Sequence, residues 1–163
     1  MLKRYADLPS AVEGIWKSMV GVPLEAGTAH VPTEGENLWI SSVIQFFGDW
    51  NGAIRIDCSW ELARQATAQM YGLNVNDIPN EVACDAVAEI ANVIAGAVKP
   101  VLGIHSRHSL PTVVRGDCYE NTVPNSRSHS QCGFGRGNNY LSVTLLKRDS
   151  LLKSPCKYGP LAN

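Results

Sequence analysis

At 163 residues, 45% of them hydrophobic and 18% charged, the chain has the composition of one globular domain that can bury a core without disulfides or a structural metal. The formal net charge is -1, and the only paired cations are Lys3-Arg4 and Lys147-Arg148, which argues against nucleic acid or an anionic membrane as the principal partner. The five cysteines (Cys58, Cys84, Cys118, Cys132 and Cys156) are odd in number and form no C-x-x-C pair; together with the lack of an apolar run after Met1-Leu2-Lys3-Arg4, they give the expectation of reduced thiols in a cytoplasm.

In chain order, the first element is an amphipathic helix. Val12, Ile15, Trp16, Met19 and Val20 fall at helical spacing, Ser10 to Glu13 fits a capping box, and Gly21 and Pro23 end the run. Residues 24–36, rich in Gly, Thr, Pro and Glu, read as a connector. Leu38 to Phe47 is rich in β-branched and aromatic residues, and Ala53 to Cys58 alternates with Ile54, Ile56 and Cys58 on one face. Between these strands, Gly48-Asp49-Trp50-Asn51-Gly52 has hairpin-loop chemistry. Ser59 is placed to cap a helix from Trp60 to Tyr71, which Gly72 ends. A polar turn around Pro79 leads into a long helix over about residues 81–102.

After that helix, Ile104 to Leu110 reads as a loop, Pro111 to Val114 as the start of a short strand, and part of 127–134 as another strand. Gly135 to Asn139 reads as a turn. Tyr140 to Leu146 alternates, with Leu141, Val143 and Leu145 on one side. The tail from Lys147 has no clear period. The order predicts an α+β fold in one domain over 1–163, with helices packed on an antiparallel sheet. A homodimer is expected, because a strand over 38–47 leaves a sheet edge to be covered.

The long helix is apolar almost all round. The exceptions Asp85, Glu89, Asn92, Gly96 and Lys99 stand at offsets 0, 4, 7, 11 and 14, so they share one line down the helix. Glu89 and Asn92 are i, i+3 neighbours whose Cβ atoms stand about 5–6 Å apart. Gly96 lies one turn further on, where the missing side chain admits a close surface. Pro100 lacks the N–H that would bond to the Gly96 carbonyl, so a kink or an early end is expected there. Taken alone, such a stripe reads first as the solvated edge of a buried helix. His105-x-x-His108 offers two imidazoles without a fixed third ligand and reads as surface loop rather than a metal site. Gly133-x-Gly-x-Gly137 does not join a strand to a helix and so is not a dinucleotide loop.

The segment Asp85-x-x-x-Glu89-x-x-Asn92, continuing Val-Ile-Ala-Gly96-Ala-Val-Lys99, resembles the signature helix of the CheC/CheX/FliY chemotaxis phosphatases. Phe47-Gly48, Gly52 to Ile56, the Leu62-Ala63 helix and Leu110 to Val114 resemble the family's flanking elements in the same order. The likeness covers about residues 37–146; residues 1–36 and 148–163 lie outside it. One signature rather than two is CheX-like. The family's downstream proline corresponds to Pro111, after a short loop.

The resemblance implies a phosphatase that hydrolyses the aspartyl phosphate of a CheY-like receiver domain. In such a protein Glu89 and Asn92 are the catalytic pair: Asn92 orients the water and Glu89 anchors the helix at the partner's site. Asp85, Gly96 and Lys99 then belong to the partner-binding surface. No metal or cofactor of its own is implied, since Mg2+ sits in the phosphorylated partner, and pairing into a homodimer is a family trait. The alternative left open is a non-catalytic binding domain of the same fold, in a signalling or flagellar-switch complex.

Overall fold

Four long strands build one sheet in the computed structural model, which describes residues 7–25, 27, 38–103, 105–117, 122–136 and 139–149. Strand β1 (Trp39–Gly48) pairs with β2 (Gly52–Ser59) in register Ile40↔Cys58 and Ile44↔Ile54. After β2 come helix α2 (Trp60–Tyr71), a 3-10 turn (Val75–Asp77) and helix α3 (Asn80–Leu102). The short strands β3 (Ser106–His108) and β4 (Thr112–Gly116) follow, then β5 (Ser126–Arg136) and β6 (Asn139–Arg148). The sheet runs β3-β1-β2-β6-β5, β4 also pairs with β1, and every pairing is antiparallel.

The helices lie on one face. Ile40, Ile44, Phe46, Ile54, Ile56, Leu141, Val143 and Leu145 project from the sheet into the core. Helix α1 (Leu8–Val20) adds Val12 and Trp16, α2 adds Ala63 and Ala66, and α3 adds Val87, Ile90, Ala91, Ile94 and Val98. Fully burying one such aliphatic side chain is worth about 1.5–3 kcal/mol, so α3 is held chiefly by its inward side. The opposite face of the sheet is also closed off at its centre, where Ser41, Asp57, Ser142 and Thr144 are buried. There the Ser41 hydroxyl donates to Asp57 Oδ1 at 2.7 Å and Arg55 Nε donates to Asp57 Oδ2 at 2.8 Å.

Four expectations need correction. Helix α1 begins at Leu8, ahead of the capping box read at Ser10, because Pro9 suits the first turn; Ser10 lies inside the helix and Asp7 occupies the cap without a side-chain bond. Of the kink or early end expected at Pro100, the early end does not occur: helix α3 runs to Leu102, the bound read from sequence, where Gly103 in the left-handed conformation caps it. The segment read as a loop over 104–110 contains β3, whose Ser106–His108 pairs with Phe46–Gly48. That pairing, with β4 along Trp39–Val43, covers the second side of β1, so β1 is not the open edge from which a dimer was argued. Of the connector read over 24–36, residues 26 and 28–36 lie outside the described residues, as does the tail from 150 onward.

Candidate functional site

Helix α3 turns one narrow edge outward because its other positions are small or aliphatic. Ala83, Ala86, Val87, Ile90, Ala91, Ile94, Ala95 and Val98 are buried. Asp85, Glu89, Asn92 and Gly96 are exposed, as the spacing predicts, and Val93 joins them at 37% exposure. Lys99, at the far end of the line, is half-buried. Its ammonium lies in the last turn, where a cation complements the helix dipole.

Gly96 stands out by what is missing around it. A Cβ built there would meet nothing within 4 Å. No packing requirement within the described residues therefore calls for glycine, although glycine in mid-helix costs about 0.5–1 kcal/mol relative to alanine.

Among the described residues, Tyr71 and His108, outside α3, share hydrogen bonds with the line, and neither was read as part of the site from sequence. The Tyr71 hydroxyl, at the end of α2, donates to Glu89 Oε2 at 3.1 Å. Partial burial pushes the Tyr71 phenol up, helped by the hydrogen bond to Glu89 and by the charges of Glu89 and Asp85. At the other end, Lys99 Nζ lies 3.2 Å from His108 Nδ1. The ammonium can only donate, so Nδ1 accepts and the imidazole is neutral. Partial burial, reinforced by the Lys99 charge, holds His108 below the usual imidazole range. His108 had a sequence signal, the His105-x-x-His108 pair, but the strand that aims it at Lys99 did not. Tyr71 had none, because its contact joins two helices.

Among the described residues no three His, Cys, Asp or Glu side chains come together as a metal-ligating group. No helix among them is long and apolar enough to cross a membrane.

Among the described residues, three helices pack on one face of an antiparallel sheet, and this fold matches solved CheX- and CheC-like structures. The CheX of Vibrio vulnificus superposes with a TM-score of 0.70 at 19% identity, over 86% of this chain and 93% of that one. A CheC-like superfamily protein from a Shewanella species gives 0.71 at 19% identity, over 90% and 98%. The CheX of Borrelia burgdorferi, solved as a complex with CheY, BeF3 and Mg2+, gives 0.66 at 19% identity, over 91% and 97%. The family model described as chemotaxis phosphatase CheX matches residues 40–135, and the chain belongs to that family. No curated protein matches the sequence.

Proposed function

We propose that this protein dephosphorylates a CheY-like receiver domain, with Asn92 orienting the attacking water and Glu89 anchoring α3 at the receiver's phosphorylation site. The observation that carries the reading is the outward edge of α3, where a carboxylate and an amide stand one turn apart beside an open glycine. Membership of a phosphatase family supports it, as does a relative solved in complex with CheY.

The chemistry asks little of the protein. Phosphoryl transfer depends on positioning and charge stabilisation. The receiver supplies the aspartyl phosphate and its Mg2+, and the phosphatase supplies a placed water. An amide suits this task because it both donates and accepts without titrating. Glu89, acceptor-only when ionised, pairs with a cation at the receiver's site. Gly96 leaves room for the receiver's backbone. Asp85 and Lys99 extend the contact at either end, with Lys99 oriented by His108. A homodimer remains part of the reading, formed through surfaces other than β1.

The test is phosphate release from a phosphorylated receiver with and without this protein. Acceleration by the wild type is expected. A decay rate equal to that of the receiver alone would remove the phosphatase reading for that receiver.

A further inference from the structure

The bond from Tyr71 to Glu89 joins the end of α2 to the working edge of α3. The backbone at Tyr71 is fixed by the turn that follows it. Gly72 turns the chain in the left-handed conformation and its N–H donates to the Ala68 carbonyl. The Leu73 N–H donates to the same carbonyl at 3.0 Å. The Arg64 guanidinium donates to the Val75 carbonyl, which ties the turn after Leu73 back onto α2.

Glu89 by itself is a long exposed side chain with several rotamers. A donor on Oε2 restricts it and leaves Oε1 free to accept. Building on the phosphatase reading, we infer that Tyr71 is a positioning residue: its hydroxyl holds the Glu89 carboxylate in its docking orientation, with Oε1 presented to a cation on the receiver. The direction of the bond is set by chemistry, because an ionised carboxylate only accepts. An ordinary phenol is protonated through the neutral range, and partial burial, the bond to Glu89 and the charges of Glu89 and Asp85 push Tyr71 further up. Tyr71 acts through Glu89 and not on the phosphoryl group, so its removal weakens docking rather than turnover. Leaving one rotamer-rich side chain to be ordered on binding corresponds to roughly a 2–10-fold loss of affinity.

Four proteins decide the matter: wild type, Tyr71→Phe, Glu89→Ala and the double variant. Each is measured for KM and kcat on a phosphorylated CheY-like receiver, and for Kd on the beryllofluoride–Mg2+ form of the same receiver. Tyr71→Phe should raise KM and Kd roughly 2–10-fold with kcat unchanged, and should do nothing further once Glu89 is alanine. The inference is overturned if Tyr71→Phe leaves KM and Kd unchanged, if its loss falls on kcat, or if the same factor persists in the Glu89→Ala background. An inert wild type removes the phosphatase reading and Tyr71's docking role together. An active wild type with an unresponsive Tyr71→Phe removes Tyr71 alone.

Discussion

Two carboxylates in this molecule each accept a hydroxyl donor, and they lie in opposite settings. Asp57, on β2, is 3% exposed, and both of its oxygens are taken, one by Ser41 and one by Arg55. Glu89, on α3, is exposed, and its observed side-chain bond, from Tyr71, engages only one oxygen. Burial pushes the Asp57 carboxyl up even though Arg55 and Ser41 favour its charged form. Desolvation therefore outweighs the ion pair, as is common for buried charges. Asp57 is turned inward and ties strands together. Glu89 keeps capacity in reserve, and an exposed acceptor with capacity in reserve on a rigid helix is suited to binding.

Substitutions can break or sharpen this contrast. The largest effect is expected at Asn92. Replacing it by alanine should slow receiver dephosphorylation about 100-fold, the scale of losing one positioning group, while binding of the beryllofluoride receiver is largely kept. Full activity in that variant would reassign the catalytic role even within the family. Asp57→Ala should do the reverse. It strips Arg55 and Ser41 of their shared acceptor and should lower stability by about 2–3 kcal/mol in urea unfolding, with turnover per folded molecule unchanged.

Gly96→Ala should raise stability by about 0.5–1 kcal/mol, because alanine suits a helix interior better and its methyl meets nothing among the described residues, and should weaken receiver binding. A stabilised variant with undiminished affinity would show that the receiver does not approach there. The smallest effect is a pH dependence at His108. Its folded value is held below the ordinary 6.5, so below that pH the unfolded chain takes up a proton before the folded one does. Stability should therefore fall as pH drops through the window just below 6.5, and rise again towards neutrality. Thermal melts of wild type and His108→Gln across pH 5 to 8 should differ in slope over that window.

The elements with local signals were legible in the chain. Ser59 accepts from the Leu62 N–H and Gly72 closes α2 in the left-handed conformation, as their positions predicted. Asp85, Glu89, Asn92 and Gly96 emerged on one exposed edge, as a 3.6-residue period requires, while Lys99 at the end of the line is half-buried. What escaped was set by partners distant in sequence. Ser106–His108 has no apolar alternation, and it becomes a strand because Phe46–Gly48 offers it an edge. Pro9 outweighed the capping pattern at Ser10 by opening the helix earlier. The early end expected at Pro100 did not occur, and Gly103 caps the helix after Leu102. The bonds that link Tyr71 to Glu89 and Lys99 to His108 depend on how α2 and β3 pack beside α3, which no spacing rule encodes.

The pairing of β2 with β6 has a consequence for how this scaffold can diversify. It joins Gly52–Cys58 to Leu141–Lys147, closing an excursion of about 80 residues that carries α2, α3 and three further strands. The entropy of such a closure grows only with the logarithm of its length, so doubling the excursion would cost about 0.6 kcal/mol. New segments inserted between β4 and β5 could therefore reshape the surroundings of α3 for a different receiver while the β2–β6 seam and the register of the sheet stay as they are.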